Sequence, residues 1–176
     1  MTQFKKINNE VFYSEKNISQ IKNADLVFLK DNIKNTEKKR IRLCTHLDEK
    51  DSTHEMFIAL SNETYIRPHK HFNKSESLHV LEGSADVVFF DDEGKISNII
   101  PLSDASSKSC FYYRINEPIY HTFIVTSKIF IFHETTQGPF KKSDTIFAPW
   151  SPEEAEHDKI AKFVSKLKVS AKAFKH

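Results

Sequence analysis

From Arg40 onward the sequence is divided into short segments with the period-two pattern of β-strands, and this pattern limits the fold more than any other feature. The candidate strands are 40–46, 54–60, 64–71, 76–82, 84–90, 96–101, 110–114, 120–126 and 128–135. Turn-forming residues separate them, for example at 91–94 and 103–107. No helical pattern interrupts the series. Many short strands in succession indicate an antiparallel sandwich or barrel.

Helical patterns are confined to the two ends of the chain. Asn23 is a candidate cap for a helix over 24–37. Ser151-Pro152-Glu153-Glu154 combines a capping serine, a proline at the first helical position and a capping-box glutamate. The apolar stripe that follows is interpreted as a helix packed on its own barrel, with a dimer seam or an anionic surface as alternatives. The predicted regions are a strand and helix extension over 1–39, a barrel over 40–150, and a helix and tail over 151–176.

One polar stretch within the strand series carries the residue types of a metal site. His69 and His71 are one residue apart, and residues i and i+2 of a strand point to the same face. The chain between His71 and Glu76 is long enough to turn and to bring Glu76 in on the next strand. His121, further along, is the best-placed fourth ligand. The sequence therefore predicts one site for a divalent ion such as Fe, Mn, Ni or Zn.

Other polar residues are candidates for the surroundings of this ion. If 64–71 is one strand, Tyr65 and Arg67 share the inward face, and Arg67 would bind a carboxylate or phosphate. His133 and Glu134 have opposite parity, so one of the two must face inward. Three histidines are candidate acid–base groups, each with a structural role as the alternative: His46, His54 and His133. The candidates for contacts with a substrate are Arg67, Tyr65, Tyr113 and Glu134.

The stretch 67–83 resembles the first motif of the cupin superfamily, small β-barrels that hold one metal ion with three histidines and one glutamate. Glu63 stands where that motif usually begins with glycine. The second motif is similar to 116–121, with Pro118 in place of a glycine. A closer resemblance, to the WbuC-type cupin-fold metalloproteins, is carried by several separated segments: 39–46, 54–56, 65–71, 90–94, 133–140 and 147–150.

The resemblance implies a cupin-like antiparallel β-barrel of the double-stranded β-helix (jelly-roll) type. It implies that His69, His71, Glu76 and His121 bind one divalent ion. The family is typically encoded among surface-polysaccharide (O-antigen) genes, which implies a sugar or nucleotide-sugar substrate and epimerase, isomerase or oxygenase chemistry. A non-catalytic carbohydrate-binding module and a purely structural ion are the alternatives. Such barrels are often dimers, which leaves a homodimer open.

Composition disfavours several classes of protein. A net charge of +2 gives no overall field that would favour nucleic acid. No apolar run approaches the ~18 residues of a membrane span, and the polar start of the chain has no signal-peptide core behind it. Cys44 and Cys110 are too few for a disulfide framework. We expect a cytoplasmic protein with a small-molecule substrate and no nucleic-acid partner.

Overall fold

A computed structural model describes residues 3–175; Met1, Thr2 and His176, at the ends of the predicted terminal regions, lie outside the described residues. Short 3-10 helices lie at Ile33–Asn35 and Lys142–Asp144. In chain order the other elements are β1 (Phe4–Lys6), β2 (Val11–Ser14), α1 (Asn23–Asn32), β3 (Arg40–Cys44), β4 (Thr53–Ser61), β5 (His69–His71), β6 (Glu76–Glu82), β7 (Ser84–Phe90), β8 (Ile96–Ser103), β9 (Tyr112–Ile115), β10 (Tyr120–Val125), β11 (Ile129–Gln137), β12 (Thr145–Phe147) and α2 (His157–Phe174).

The strands form two sheets. The seven-stranded sheet has the order β1-β2-β3-β4-β11-β6-β9, and the five-stranded sheet has the order β12-β5-β10-β7-β8. Only β2 and β3 pair in parallel among the described strands, whereas the other neighbours are antiparallel. The expected mainly β class with a helix near each end is confirmed, and the strands predicted to form a cupin-like jelly-roll barrel form two sheets.

Apolar side chains from both sheets fill the space between them. Phe130 and Phe132 of β11 face this space, where they meet Val87 and Phe89 of β7. Because strand residues alternate between faces, the intervening Ile131 lies on the opposite side of its sheet. Burial of these large side chains from water is the main force that holds the two sheets together.

Each helix covers the outer face of one sheet. Leu29 of α1 packs with Ile131 on the seven-stranded sheet. Leu167 and Ala171 of α2 pack with Phe90 on the five-stranded sheet. The fold therefore has four layers, and strands β7 and β11 are apolar on both faces because each lies between a helix and the inner core. The prediction that the C-terminal helix packs on its own β-structure agrees with this arrangement.

Several predicted boundaries were wrong, each for a local reason. The helix predicted over 24–37 ends at Asn32 and continues as a single 3-10 turn. The C-terminal helix begins at His157 and not at the predicted Ser151 cap, because the Ser151 hydroxyl donates to the carbonyl of Ala148 at 2.7 Å. The strand predicted over 64–71 is reduced to β5, since Pro68 has no N–H to extend the ladder.

Candidate metal centre

Three histidines converge where the two sheets meet. His69 and His71 are on β5, and His121 of β10 pairs directly with His69. One ligand nitrogen from each histidine lies within 4.8 Å of the others. Glu76, the first residue of β6, places Oε2 3.2 Å from His71 Nε2 and Oε1 3.6 Å from His121 Nε2. The structure thus brings together the four predicted ligands, which we call the His–Glu cluster (His69, His71, Glu76 and His121).

The outer nitrogen of each imidazole is held by a neighbouring group. Nδ1 of His69 donates to the carbonyl of Arg67 at 2.9 Å, and Nδ1 of His121 donates to that of Ile119 at 3.0 Å. Nδ1 of the third histidine lies 3.2 Å from the hydroxyl of Thr145. When Nδ1 carries the proton, Nε2 keeps a free lone pair. The two carbonyl contacts therefore fix the rings of His69 and His121 with Nε2 available as a ligand atom, as is typical of metal-binding histidines.

The residues present fit a bound divalent ion. His121 is 1% exposed and its Nε2 has no hydrogen-bond partner among the described residues. A buried polar atom without a partner costs about 1–3 kcal/mol, and coordination would remove that cost. Ligands bound at ~2.1 Å lie roughly 3 Å apart, so the cluster needs only a small contraction. Three imidazoles and one carboxylate form a donor set suited to first-row transition metals.

The charge states of His69 and Glu76 also suit a metal ion, whereas the contact with Glu76 outweighs burial and raises the pKa of His121, whose proton a metal ion would displace. Burial lowers the pKa of His69 to about 3, with the charges of His121 and His71 adding to the effect, so this imidazole is neutral near pH 7. Burial alone would raise the pKa of Glu76, but its polar contacts with the imidazoles of His121 and His71 outweigh burial and lower it. The carboxylate is therefore ionised. A metal ion requires both of these states in its ligands.

A cavity of about 350 Å³ extends from the His–Glu cluster along the inner face of the seven-stranded sheet. Glu134 lines it beside the cluster, and burial, followed by the charge of Glu76, raises the pKa of Glu134 well above its usual range. These surroundings therefore favour the protonated form of the carboxyl group. Of the pair with opposite parity, Glu134 is the residue that faces inward.

His133, one of the predicted acid–base groups, does not face the cavity. It lies on the outer face of the seven-stranded sheet, opposite His79, and its ring packs against Phe57 with centroids 4.7 Å apart. Neighbouring residues of a strand point to opposite faces, so the inward position of Glu134 excludes His133 from the cavity. His133 is therefore not an acid–base group of this site.

Two of the predicted substrate contacts also lie outside the cavity lining. The hydroxyl of Tyr65 donates to the carbonyl of Pro152 at 2.9 Å, and its ring packs edge-on against Phe163 of α2. Tyr113 is 7% exposed and packs against Phe89 in the core between the sheets. Tyr65 is better explained as a packing residue, because the strand predicted over 64–71 does not extend to it. The buried hydroxyl of Tyr113 has no hydrogen-bond partner among the described residues, and burial, followed by the charge of Glu76, raises the pKa of Tyr113 well above its usual range. A role for Tyr113 beside the His–Glu cluster stays a prediction.

The remaining predicted residues do line the cavity. His46 and His54 are stacked, with ring centroids 4.2 Å apart and planes at 3°. Arg67 donates from Nε to the hydroxyl of Ser151 at 3.2 Å, and its guanidinium lies 5.0 Å from the ring centroid of Phe147. Sequence reasoning missed Arg42, which lines the same cavity. The alternation along β3 was the signal that could have identified it.

Cys44 is buried, and the reactivity of its thiol tests that burial. Burial raises the pKa of its thiol to about 11, so at pH 8 only about one molecule in a thousand carries the reactive thiolate. We expect the folded protein to react rapidly with a colorimetric thiol reagent at Cys110 alone, which is partly exposed. Fast reaction of two thiols, or a fast thiol that persists in Cys110→Ala, would contradict this environment.

Comparison of the sequence with known proteins finds one family model that matches part of the chain. The model of a domain of unknown function (DUF6016) matches residues 21–102, which include three members of the His–Glu cluster and exclude His121. No curated protein gives a significant match to the sequence. No helix among the described residues is both long enough and apolar enough to cross a membrane.

Solved structures show a distant similarity. Protein SO0799 from Shewanella oneidensis is 11% identical, with 58% of this chain and 66% of that chain covered at a TM-score of 0.47. Oxalate oxidase in complex with glycolate is 13% identical, with coverages of 56% and 47% and a TM-score of 0.44. CapF with an inhibitor is 15% identical, with coverages of 61% and 31% and a TM-score of 0.46. The chain spans less than two thirds of each, and similarity at this level does not extend to function.

Proposed function

We propose that the protein is a cupin-type metalloprotein in which His69, His71, Glu76 and His121 bind one divalent ion, Fe, Mn, Ni or Zn. The observation that carries this proposal is the convergence of imidazoles whose Nδ1 atoms are engaged elsewhere, together with the partnerless, buried Nε2 of His121. The cavity beside the cluster leaves room for a small molecule at the ion.

We further propose that it is a metal-dependent enzyme, an isomerase, epimerase or oxygenase, acting on a sugar or nucleotide-sugar in surface-polysaccharide (O-antigen) biosynthesis. The substrate class and pathway are supported by the sequence resemblance to WbuC-type cupins. A cytoplasmic location and a homodimer belong to the same proposal. A bound divalent ion would supply Lewis acidity beside the cavity.

Glu134 is the residue best placed to move a proton in this reaction. It faces the cavity next to Glu76, and burial together with the charge of Glu76 raises the pKa of its carboxyl group well above the usual range. A positioned acid or base of this kind contributes about 10²–10⁴-fold to a rate. His46 and His54 line the same cavity and are the other candidates among the predicted acid–base groups.

A non-catalytic carbohydrate-binding module is the second candidate. Phe140 and Phe147 line the cavity and remain 52% and 46% exposed. Exposed aromatic faces suit the apolar faces of sugar rings, and binding of this kind needs no proton transfer. This alternative shares the metal site with the first and differs from it in the fate of the bound sugar.

Turnover of a nucleotide-sugar panel by the metal-loaded protein, followed by NMR of the products, separates the two candidates. We expect a product from the unsubstituted protein and a rate at least about 10²-fold lower in Glu134→Gln, with metal content unchanged. Glu55→Gln, on the exposed face of neighbouring β4, is the control and should retain the full rate. Saturable binding without any product would favour the binding module. Equal rates in the two variants would exclude Glu134 as the proton carrier.

A further inference from the structure

The wall of the cavity away from the ion carries an unpaired positive charge. Among the described residues, four cationic side chains line the cavity, and three of them have an acidic partner. Arg40, for example, lies 3.6 Å from Glu10 and 3.4 Å from Glu154. Arg42 lies on the same strand and face as Arg40, two residues further on, and has no acidic partner within the described chain. Its guanidinium is therefore free to bind an anion.

Arg67, which the sequence suggested as the anion-binding residue, is less suitable. Its Nε–H is used by the hydroxyl of Ser151, and Nη1 lies 3.9 Å from Glu153. The guanidinium also lies over the ring of Phe147, which uses one of its planar faces. Arg67 thus has its hydrogen-bonding and stacking partners within the protein, whereas Arg42 does not.

A second hydrogen-bond donor lies in the same wall. The backbone N–H of Glu55 donates to Nδ1 of His46 at 3.1 Å. The carbonyl of Glu55 lies at the same distance from Nδ1. Because a backbone N–H can only donate, we assign Nδ1 as the acceptor. The proton of the neutral ring then resides on Nε2. Nε2 of His46 has no partner among the described residues and can donate to a ligand.

The two aromatic neighbours of His46 strengthen this interpretation. His54, stacked on it, is 6% exposed, and its Nε2 is buried without a hydrogen-bond partner within the described residues. Tyr13 meets the ring of His46 edge-on at 5.2 Å, and burial raises the pKa of the Tyr13 hydroxyl to about 12, which keeps it a donor. Among the described residues, no carboxylate forms an ion pair with Arg42 or a hydrogen bond with Nε2 of His46 or the hydroxyl of Tyr13, although Glu49 and Glu134 line the same cavity.

The strand register shows how far His54, which stacks on His46, lies from the proposed ion. Thr136 of β11 pairs with Glu76 on one side and with His54 on the other. Glu76 and His54 are therefore separated by two strand spacings, about 10 Å between Cα atoms. The single cavity that both residues line is large enough for a small metabolite to reach from one to the other.

We propose that Arg42 and His46 form a subsite for an oxyanion, a carboxylate or phosphate group, on the molecule that occupies the cavity. The substrate class is then an anionic small molecule with a polar end at the His–Glu cluster and an oxyanion at the far wall of the cavity, beyond His54. Guanidinium binds such groups through two parallel hydrogen bonds. This proposal deepens the proposed function and rests on it only for the identity of the cavity as the binding site.

The test is a titration with inorganic phosphate, and separately with acetate, followed through the NMR signals of the His46 and His54 rings. We expect saturable shifts in the unsubstituted protein and affinity at least about tenfold lower in Arg42→Gln. Arg40→Gln is the matched control, because the same change on the same face removes a charge that Glu10 and Glu154 already neutralise. Its affinity should fall less than about twofold. Arg42→Lys, which keeps the charge and loses the paired donors, should be intermediate.

The relative response to the two probes identifies the oxyanion as phosphate or carboxylate. Equal weakening by Arg42→Gln and Arg40→Gln would overturn the subsite and indicate a general charge effect. The His69→Ala, His71→Ala variant should still bind the anion, and loss of binding there would place the anion at the metal. Metal content is measured on the same samples. Anion binding without any metal would therefore leave the subsite standing while the proposed metalloenzyme fails.

Discussion

Replacement of His69 and His71 together by alanine is expected to abolish metal binding while the protein remains folded. The unsubstituted protein, purified without added metal, should contain about one divalent ion per chain by elemental analysis, and the variant less than roughly a tenth of that. His69 and His71 are two of the four proposed ligands in the His–Glu cluster. Neither histidine belongs to the core between the sheets, so the far-ultraviolet circular dichroism of the variant should be unchanged.

The matched control removes two other histidines. His79 and His133 pair directly across β6 and β11 on the outer face of the seven-stranded sheet. Their replacement by alanine should leave the metal content intact. Metal that persists in the His69→Ala, His71→Ala variant would place the site elsewhere, and global unfolding of that variant would indicate a structural ion.

Metal binding should also stabilise the protein by mass action. An ion that binds only the folded chain adds about 2.7 kcal/mol to the free energy of unfolding at one hundred times its Kd. A chelator should therefore lower the melting temperature of the unsubstituted protein. The His69→Ala, His71→Ala variant, which has no ion to lose, should melt at the same temperature with or without the chelator.

Replacement of Phe130 by alanine is expected to lower the free energy of unfolding by about 3–5 kcal/mol. Phe130 is 0% exposed, and its ring centroid lies 5.2 Å from that of Phe132 and 6.1 Å from that of Phe123 on the opposite sheet. The loss combines the transfer of a large apolar side chain with the cavity that remains between two sheets. Guanidinium denaturation followed by circular dichroism measures it.

Phe174→Ala provides the comparison for this effect. Phe174 is the last residue of α2 and is 48% exposed, so its removal should cost less than about 1 kcal/mol. A similar cost for both substitutions would contradict the assignment of the inner core. Because a typical domain is stable by about 5–15 kcal/mol, Phe130→Ala should shift the midpoint strongly and still leave a folded protein in water.

The strands were predicted best where the sequence contains both a strong pattern and a strong stop. The predicted segments 76–82 and 84–90 coincide with β6 and β7, and Gly83 between them has φ of +82°, a conformation that other residues rarely adopt. β12 was missed. It has only three residues, and its Ile146 and Phe147 are exposed by more than a third, so no alternation or buried run marks it.

The candidate functional residues also divide into those that a local pattern predicts and those that a tertiary contact decides. Spacing alone predicted that His69, His71 and Glu76 would meet, because period two and a short turn are local properties; their role as ligands stays a prediction. Ser151 shows the opposite case. Its local pattern predicts a helix cap, but in the folded protein its hydroxyl donates to the carbonyl of Ala148 and accepts from Nε of Arg67. A tertiary contact outweighed a preference of about 1 kcal/mol.

The sequence by itself determined the strand periodicity, the terminal helices and the group of residues that approach one another as the His–Glu cluster. Only the tertiary structure decided which charged groups line the cavity without a partner. Arg40 and Arg42 have the same residue type and the same parity, and the sequence cannot distinguish them. The distinction arises because Glu10 and Glu154, distant in the chain, neutralise Arg40 and leave Arg42 free. Ion pairing across the fold depends on distances in space, which no local pattern encodes.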